Sequence, residues 1–553
     1  MTAEVAARAA PASEIYPLGP ATAVPDPERI GLKAHALVRL ARLGLPVPEG
    51  FVLGTALCEA YLRDPPGTAA ALRPALEAAL QELERASGLR FGDARRPLLV
   101  AVRSGAPVSM PGMMDTLLNI GLTQATLRGL VRRTGNPRLA RDSYRRLVQS
   151  FAETIYGASP APFEAALQAT LAAQGLRHAR ELDFVGLSVL GERFATLFEE
   201  QTGERFPEDP RVQLESAIAA VFRSWRCERA AAYRRLHGLP EAPGTAVIVQ
   251  RMVFGNAGGT SGSGVGFTRD PATGENHLYV DFLFNSQGED VVAGRHQAAD
   301  AERLARVLPE VWRQLGAARH ALEREFGDAQ EFEFTVQDGR LYLLQARSAK
   351  RTDWAALRIA VEQVREGLIE PAHALARLAP LRLEAIVRRR LSRGDLRPLA
   401  RGVPASVGVA SGPIALEPQT ALRFARRGER PILICADLST EDIEAIAACA
   451  GVVAQRGSRT AHAAVIARQL GVACLVGCEA LERDPAKRCV RVGAERYNEG
   501  DAITVDANEG AVYGGALHVV EERPDDWLAE VARWRAAIPA ACAPLSAAAS
   551  IRP

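Results

Sequence analysis

The stretch that decides the fold of the last domain reads Gly451-Val-Val-Ala-Gln-Arg-Gly-Ser-Arg-Thr-Ala-His-Ala-Ala-Val-Ile-Ala-Arg468. A short apolar run, a polar turn and a helical pattern follow one another, which predicts a buried strand, a loop and a helix. Thr460 is the predicted N-cap, so His462 lies in the first helical turn. The helix dipole disfavours imidazolium there, which predicts a neutral, nucleophilic His462 able to hold a phosphoryl group. Arg456 and Arg459 can neutralise that group.

Apolar runs on both sides of this stretch, such as residues 431–435 and 473–477, alternate with helical patterns. Such alternation predicts a compact α/β domain, which we place at residues 401–522. Before it, residues 351–400 are rich in arginine and interrupted by prolines, which predicts a helical linker that bears a hinge. After it, residues 523–553 are predicted to form a helix and a tail.

The first half of the chain divides where helical patterns give way to strand patterns. Residues 1–26 are rich in alanine and proline without periodicity, which predicts a disordered arm. In residues 27–240 a helix from residue 31 to residue 43 places Lys33 in its first turn. Long amphipathic helices follow, so this part is predicted to be an N-terminal lobe with a helical insertion. Strand signals return in residues 241–350, which predicts a second lobe.

The composition limits the functions that the chain can have. Its 553 residues suggest three or four domains at roughly 150 residues each. The 67 basic and 65 acidic residues leave a net charge of +2, so no nucleic-acid partner is expected. No stretch approaches about 18 consecutive apolar residues and no signal-peptide core is visible, which predicts a soluble cytoplasmic protein without a membrane partner. The eight cysteines are scattered singly, which predicts thiols.

Lysine and methionine are so rare here that their positions are informative. Only three of the 67 basic residues are lysines. We expect a functional reason for Lys33, because lysine and arginine differ mainly where a compact charge is needed. Lys350 and Lys487 are expected to be retained by chance. Three of the five methionines fall within residues 109–115, where a proline and a glycine exclude helix and strand, so a shaped loop is predicted.

A glycine-rich segment at residues 255–266 lies between two predicted strands. Its six glycines in twelve residues would let several backbone N–H groups converge on an anion, which suits a phosphate cradle. A plain flexible loop is the alternative interpretation, because the segment does not follow the Walker pattern.

The last predicted hairpin of the second lobe carries Glu331 and Glu333 on one face of its first strand. We predict a three-residue turn at residues 338–340, which would place Glu333 opposite Gln345. The same turn would place Glu331 opposite Arg347, whereas a two-residue turn would slip these pairs to opposite faces. Carboxylate and amide oxygens side by side suit Mg²⁺. An ordinary cross-strand ion pair is the alternative.

Seven motifs, in their order and spacing along roughly residues 30–520, resemble the pyruvate, phosphate dikinase family of PEP-utilising enzymes. The octet Ser-Met-Pro-Gly-Met-Met-Asp-Thr at residues 109–116 favours the dikinases over the related phosphoenolpyruvate synthases. The other six are Val-Arg-Ser-Gly-Ala at 102–106, Gln-Arg-Met-Val-Phe-Gly-Asn at 250–256, Gly-Phe-Thr-Arg-Asp-Pro at 266–271, Asn-Ser-Gln-Gly-Glu-Asp-Val-Val-Ala-Gly at 285–294, Leu-Gln-Ala-Arg at 344–347 and Thr-Ala-His-Ala-Ala-Val-Ile-Ala-Arg at 460–468.

This resemblance implies an α/β and α+β multidomain chain, with an ATP-grasp-type nucleotide-binding region followed by a swivelling β/β/α phosphohistidine domain. It also implies that ATP, with phosphate and Mg²⁺, phosphorylates His462. The motifs also imply a role for each matched residue. The ATP phosphates would be held or activated by Lys33, Arg103, Glu289 and Arg347, and the adenine pocket would be lined by Gln250, Met252 and Val253. Further contacts with ATP would come from Gly112, Ser263, Gly264 and Asp281, while Glu333 and Gln345 would hold Mg²⁺ and Thr460 would be a regulatory site.

Departures from the family pattern, at these residues or close to them in the sequence, leave loss of turnover as an alternative to catalysis. They are Leu32 and Ala34 in place of glycines, Asp281 in place of a glutamate, Glu331 in place of an aspartate, and Ala461 in place of a serine.

In the family, a (β/α)₈ barrel of about 250 residues that binds pyruvate or PEP follows the histidine domain. Here only residues 523–553 follow, so we expect that this chain alone does not make PEP. The first hypothesis is a phosphotransferase that forms AMP and pyrophosphate and passes its phosphoryl group in trans, to pyruvate on a separate barrel or to another acceptor. The alternative is an ATP-binding regulatory or scaffold protein without turnover. A small-molecule phosphotransferase is less favoured, because only the linker at residues 351–400 separates the two regions.

Overall fold

A computed structural model describes residues 11–20, 23–108, 110, 114, 116–176, 179–236, 238–239, 244–288, 300–392, 397–438, 442–457, 462–492 and 495–537. The chain forms two compact units. The first runs to Val253 and includes Tyr342–Gln345, and the second comprises Phe254–Leu341 and Ala346–Ser550. None of the helices in the described ranges is long and apolar enough to cross a membrane.

The first unit contains a five-stranded sheet. Its strands are β1 (Ile15–Leu18), β2 (Gly50–Leu53), β5 (Val100–Gly105), β6 (Thr116–Ile120) and β7 (Ala246–Arg251), and a separate parallel pair is formed by β3 (Arg90–Phe91) and β4 (Pro97–Leu98). The order is β1-β2-β7-β5-β6, and every neighbouring pair is antiparallel. β7 is the first of the strands predicted for residues 241–350.

Nine helices surround this sheet in the described part of the first unit. They are α1 (Pro27–Arg42), α2 (Thr55–Arg63), α3 (Pro65–Ser87), α4 (Gln124–Thr134), α5 (Pro137–Tyr156), α6 (Ala161–Ala173), α7 (Phe184–Thr202), α8 (Pro210–Ser224) and α9 (Glu228–Leu236), with short 3₁₀ turns at Pro11–Glu14 and Ala179–Glu181. Phe206 meets Phe151 and Phe198 edge to face, with ring centroids 5.4 and 5.5 Å apart. This geometry is favourable for aromatic rings and fills the core of the predicted helical insertion.

The predicted disordered arm is wrong for its second half, because residues 15–18 form the edge strand β1. Ile15 pairs with Leu53 and Leu18 with Gly50. The carboxylate of the buried Glu14 accepts a hydrogen bond from Arg29 at 2.7 Å. The proline within β1 is tolerated because an edge strand leaves one side of its backbone unpaired. Strand addition of this kind depends on the partner strand, so the local composition does not reveal it.

The second unit begins with a four-stranded sheet in the order β11-β10-β8-β9. Its strands are β8 (Gly262–Phe267), β9 (Tyr279–Phe284), β10 (Gln330–Gln337) and β11 (Arg340–Ser348), and the helices α10 (Asp300–Val307) and α11 (Pro309–Phe326) lie between β9 and β10 in the chain. β8 is antiparallel to both of its neighbours. Half of the predicted glycine-rich loop is therefore a buried central strand.

Aromatic rings explain the glycines of β8. A Cβ on Gly262 would lie 2.2 Å from the Phe282 ring, and one on Gly266 would lie 2.3 Å from the Phe332 ring. Gly264 faces the Phe334 ring at 2.6 Å in the same way. These glycines make room for rings of the adjacent strands, so the phosphate cradle predicted for residues 255–266 is wrong for residues 262–266. Their backbone groups belong to the sheet ladder instead.

The hairpin between β10 and β11 turns through two residues, not three. Asp338 and Gly339 have φ values of 51° and 74°. Positive φ at both central positions defines the type I′ turn that suits the twist of a tight hairpin. The three-residue turn predicted at residues 338–340 is therefore wrong, since Arg340 already begins β11.

Most of the predicted linker, residues 351–400, is folded into packed secondary structure. The helices α12 (Asp353–Arg365) and α13 (Pro371–Leu378) share an apolar core with the last described helix, α17 (Asp525–Ala537). The fully buried Arg269 pairs with Glu323 of α11 at 2.9 Å and with Glu366, the residue directly after α12, at 2.5 Å. Leu383–Ala385 forms a 3₁₀ turn. Two antiparallel strands, β12 (Arg388–Leu391) and β24 (Val519–Glu522), then connect these helices to the domain between them.

That domain is built on an eight-stranded sheet in the order β13-β23-β22-β15-β16-β17-β18-β14, in which β15 to β18 are parallel neighbours. The strands are β13 (Ala400–Arg401), β14 (Val403–Ser406), β15 (Val409–Ala415), β16 (Ile432–Cys435), β17 (Gly451–Ala454), β18 (Ala473–Val476), β22 (Ala502–Asp506) and β23 (Ala511–Gly514), with β19 (Glu482–Asp484), β20 (Cys489–Val492) and β21 (Glu495–Asn498) in a separate small sheet. The helices are α14 (Pro418–Arg426), α15 (Ile443–Ala448) and α16 (His462–Gln469). The predicted α/β alternation is confirmed.

Both faces of this sheet are apolar. Ile432 and Ile434 pack with Ile503 in one cluster, whereas Leu433, between them, packs with Ala464 in another. Parallel strands buried on both faces have continuous apolar sequences, which explains why these strands were readily predicted.

Candidate active site

The helix that carries Lys33 is broken immediately before it. Gly31 has φ 74° and ψ 158° within α1. A Cβ on Gly31 would come 1.9 Å from the carbonyl oxygen of Gly105, at the end of β5. The N–H of Leu32 donates to the carbonyl of Ala106 at 3.0 Å. Only glycine fits this contact, and Lys33 lies in the first turn after the break, as predicted.

Leu32 and Ala34, which replace glycines of the family pattern on either side of Lys33, are compatible with this backbone conformation. Leu32 is 44% exposed, so its side chain takes no part in the contact, which its N–H makes. Ala34 is fully buried in the helix. The replacements therefore leave the main-chain geometry before Lys33 intact.

Arg103 and Gln345 are brought together in the first unit. The Arg103 Nη1 donates to the carbonyl of Leu344 at 3.0 Å, and its Nη2 lies 3.4 Å from Oε1 of Gln345. Gln345 is buried. The guanidinium thus orients the amide oxygen that is predicted to hold Mg²⁺, while the phosphate contact of Arg103 stays a prediction.

The predicted adenine-pocket residues lie at the end of β7 and directly after it. The buried Gln250 donates from Nε2 to the carbonyl of Pro48 at 2.9 Å, so its amide holds the segment before β2. Met252 is buried and Val253 is half-buried. Contact between these residues and adenine stays a prediction.

Ser263, Gly264 and Asp281 lie within the sheet of the second unit. The Ser263 hydroxyl, which is buried, donates to the carbonyl of Ser286 at 3.0 Å. Asp281 is buried on β9 opposite Val265 of β8. Ser263 and Gly264 therefore have packing roles in the sheet, and their predicted contacts with ATP remain predictions.

Glu331 and Arg347 form the ion pair that the sequence analysis described. The Arg347 Nη2 lies 2.5 Å from Oε1 of Glu331, which is buried. Burial alone would lower the pKa of Arg347, but the Glu331 and Glu333 carboxylates hold that pKa above its ordinary value. The pair forms although the turn is one residue shorter than expected. Glu331 therefore forms the cross-strand ion pair that was the alternative to a metal site. The half-buried Glu333 stays the carboxylate that is predicted to hold Mg²⁺.

Within the described ranges, no group of three or more histidine, cysteine, aspartate or glutamate side chains could hold a metal ion. Mg²⁺ usually takes only one or two protein carboxylates and completes its shell with water and phosphate oxygens. The oxygen donors of Glu333 and Gln345 therefore fit Mg²⁺ by their chemistry, and they would not form an all-protein cage.

His462 is the first residue of α16, which follows β17, so the strand, loop and helix prediction is confirmed at both ends. Arg456, in the loop between them, pairs with Asp437 at 2.6 Å and is largely exposed. Its charge is therefore shared with a carboxylate in this conformation. Four predicted residues, Gly112, Glu289, Arg459 and Thr460, lie outside the described residues.

Arg468 is a buried charge for which no role was predicted. Its Nε donates to the carbonyl of Ala405 at 2.9 Å, and its guanidinium carbon lies 6.0 Å from the centre of the Phe267 ring. Burial lowers the pKa of Arg468, and the Asp270 carboxylate opposes that shift. The guanidinium also lines a cavity of about 630 Å³. Its position one turn after the buried Ala464 was the signal that could have predicted its burial.

Comparison with known proteins gives two family matches. Residues 68–306 match the AMP/ATP-binding domain of pyruvate phosphate dikinase. Residues 428–510, which include His462, match the mobile domain of PEP-utilising enzymes.

Curated relatives extend this similarity over nearly all of the chain. The chain is 39% identical to the pyruvate, phosphate dikinase of Rhizobium meliloti over 524 residues, which cover 92% of the chain and 58% of the relative. It is 39% identical to that of Clostridium symbiosum over 496 residues, covering 89% and 57%. It is 40% identical to pyruvate, phosphate dikinase 2 of Zea mays over 495 residues, covering 88% and 56%.

The two matched domains, in this order, place the chain among the PEP-utilising enzymes, with an ATP-grasp-type nucleotide-binding region and a mobile domain. Within that class its similarity is to the pyruvate, phosphate dikinases, as the resemblance implied. The chain spans slightly more than half the length of these curated relatives.

Proposed function

We propose that this protein is an ATP-dependent phosphotransferase that phosphorylates His462. One observation carries the proposal: the chain joins a dikinase-type nucleotide-binding domain to a mobile domain whose match includes His462, at the start of a helix. ATP, inorganic phosphate and the histidine give phosphohistidine, AMP and pyrophosphate. The β-phosphoryl group of ATP stays on His462, and the γ-phosphoryl group leaves with the inorganic phosphate as pyrophosphate.

Three cations are proposed to bind the phosphates of ATP. Lys33 follows a backbone break that fixes its position, Arg103 lies on β5 beside Gln345, and Arg347 is oriented by Glu331. Cationic groups held in advance of the reaction stabilise the charge that develops on transferring phosphoryl groups. The proposed role of each residue is electrostatic, which agrees with the small amount of covalent chemistry that phosphoryl transfer demands of a protein.

Glu333 and Gln345 are proposed to hold Mg²⁺ through a carboxylate and an amide oxygen. When bound, the ion would neutralise phosphate charge. The ion pair with Glu331 orients the Arg347 guanidinium, and the hydrogen bond from Arg103 orients the side-chain amide of Gln345.

His462 is proposed to be the acceptor because of its place on α16. Backbone N–H groups and the positive end of the dipole at a helix N-terminus favour a neutral ring and a bound phosphoryl group. Arg456 can add a further charge by leaving Asp437, an exposed pair that contributes little stability.

The final acceptor is proposed to meet phosphorylated His462 in trans. Pyruvate on a separate PEP- or pyruvate-binding protein is the first candidate, since the relatives carry the dikinase name. A cytoplasmic location is proposed with this activity, because its substrates would be ATP and phosphate.

A regulatory or scaffold protein that binds ATP without turnover is the alternative. Leu32, Ala34 and Ala461 favour it, because they replace residues of the family pattern beside Lys33 and His462.

Formation of AMP distinguishes a phosphotransferase from a regulatory or scaffold protein. The full chain is incubated with ATP, phosphate and Mg²⁺ beside a His462→Ala variant, and nucleotides are separated by chromatography. The proposal expects AMP in amounts stoichiometric with the wild-type protein and none with the variant. ATP binding without AMP from either protein would support the regulatory alternative.

A further inference from the structure

Arg468 links the domain that carries His462 to the four-stranded sheet of the second unit. Its Nε donates to the carbonyl of Ala405, on β14 of its own domain, at 2.9 Å. Its guanidinium carbon lies 6.0 Å from the centre of the Phe267 ring, at the end of β8 in the four-stranded sheet. Arg468 is 3% exposed. One buried side chain therefore contacts both parts of this unit.

The contacted ring lies on the sheet face that carries the carboxylate proposed to hold Mg²⁺. Phe267 is directly opposite Glu331 in the antiparallel pair of β8 and β10, and Glu333 is two residues further along β10. Side chains of opposite residues share a face, and so do those of alternate residues along a strand. Phe267, Glu331 and Glu333 therefore share one face, on which Glu331 also pairs with Arg347 at 2.5 Å.

The helix that Arg468 holds against this face is the one that begins with His462. Arg468 is six residues after His462 in α16, so the two positions are about 9 Å apart along the helix axis. A helix of this length moves as one piece, and a contact near its end limits where its first turn can lie. The contact with Phe267 therefore places the start of α16 beside the face of Glu331 and Glu333.

The boundary around this contact is open and polar. Arg468 lines the cavity of about 630 Å³ together with residues of the four-stranded sheet, of β12 and of its own domain, among them Asp270, Tyr279, Arg388, Arg390, Asp506 and Tyr513. Packed interiors leave few voids larger than a water molecule, so this boundary is not a continuous core. The domain could therefore leave the sheet without breaking a closely packed apolar interface.

We propose that Arg468 is a positioning residue that docks this domain on the nucleotide-binding region in the conformation in which His462 is phosphorylated. The inference rests on the proposed function and extends it to a residue given no role there. The guanidinium contacts the Phe267 ring through a cation–π interaction, which is stronger where water is excluded. Such a contact biases the equilibrium toward the docked conformation and is weak enough to be released in each catalytic cycle.

The test compares the full-length Arg468→Met variant with Arg483→Met and with wild type. Arg483 is a matched control, because it is half-buried in the same domain and also donates to a backbone carbonyl, that of Leu416. Hydrogen–deuterium exchange with mass spectrometry measures the amide N–H groups of residues 268–279, beside Phe267. Single-turnover transfer of β-label from MgATP to the protein gives the rate of histidine phosphorylation, and calorimetric titration gives the MgATP affinity.

We expect Arg468→Met to exchange faster at residues 268–279 and to transfer label about 2- to 30-fold more slowly, the range of a cation–π contact, with its MgATP affinity unchanged. Arg483→Met should match wild type in all three respects. If Arg468 only holds the carbonyl of Ala405, exchange will change within its own domain and not at residues 268–279, and that result would overturn the proposal. An unchanged rate of transfer, or a loss of MgATP affinity as large as the loss of rate, would overturn it as well.

Phe267→Leu removes the ring from the other side of the contact and replaces Arg468→Met if that variant does not fold. It keeps an apolar side chain and the hydrogen bond to Ala405, and it should also slow the transfer. In the double variant the slowing should be smaller than the product of the two single effects, because both substitutions remove one contact; a slowing equal to that product would count against the proposal. A wild type that binds MgATP but forms no phosphohistidine would contradict the proposed function, and exchange at residues 268–279 would still decide whether Arg468 docks the domain.

Discussion

Replacing Gly31 by alanine tests how the backbone positions Lys33. The φ and ψ of Gly31, 74° and 158°, lie in a region that is essentially restricted to glycine, where another residue costs about 1–3 kcal/mol. The new Cβ would also stand 1.9 Å from the carbonyl oxygen of Gly105, a backbone atom that cannot rotate away. Overpacking of this kind costs about 1–3 kcal/mol more. We therefore expect the free energy of unfolding to fall by about 2–6 kcal/mol.

Gly44 offers a matched control at the end of the same helical segment. Its φ is 73°, but a Cβ there would meet no heavy atom within 4 Å. Gly44→Ala should therefore cost only the left-handed backbone penalty of about 1–2 kcal/mol. Urea titrations of both variants, followed by circular dichroism, measure the difference. MgATP binding should weaken in Gly31→Ala and stay unchanged in Gly44→Ala. Equal losses of stability in the two variants would refute the contact with Gly105 as the cause.

Three further variants or labels test the packing and charge of the two units. Arg269→Met should lower the free energy of unfolding by about 3–5 kcal/mol in urea titration, because it leaves the buried Glu323 carboxylate without its partner; a loss below 1 kcal/mol would contradict this. Maleimide labelling followed by mass spectrometry should modify the half-buried Cys227 in the native protein and spare Cys478, since burial raises the pKa of the Cys478 thiol to about 12. Burial alone would raise the pKa of Asp142, but two neighbouring arginines lower it below its ordinary value. Its stabilising contribution is therefore full at neutral pH and lost as pH falls through the folded pKa, so Asp142→Asn should destabilise the protein at pH 7 and less so at about pH 3, by urea titration.

The parts of the fold that the sequence predicted well are those with strong local patterns. The strands around Leu433, Val452 and Leu475 are continuous apolar runs, because both faces of their sheet are buried. His462 lies in the first turn of its helix as predicted, because a polar loop separates two clear periodicities. In the first lobe, Lys33 was singled out because only three of the 67 basic residues are lysines, whereas the break in the helix at Gly31 was not predicted.

The parts that were missed depend on contacts distant in sequence. The edge strand at Ile15–Leu18 exists because Gly50–Leu53 offers it a partner. The glycines of Gly262–Phe267 look like a loop until Phe282 and Phe334 occupy the space above them. The turn at Asp338 and Gly339 could have been predicted from the Asp-Gly pair, which strongly favours a two-residue hairpin turn.

The central claim, that His462 accepts a phosphoryl group from ATP, is tested most directly by positional labelling. The full chain and its His462→Ala variant are incubated with Mg²⁺, phosphate and ATP labelled at either the β or the γ position, and protein-bound label is measured. The account predicts acid-labile β-label on the wild type alone, accompanied by AMP. Absence of label on a wild type that binds ATP, or γ-label in place of β-label, would contradict it.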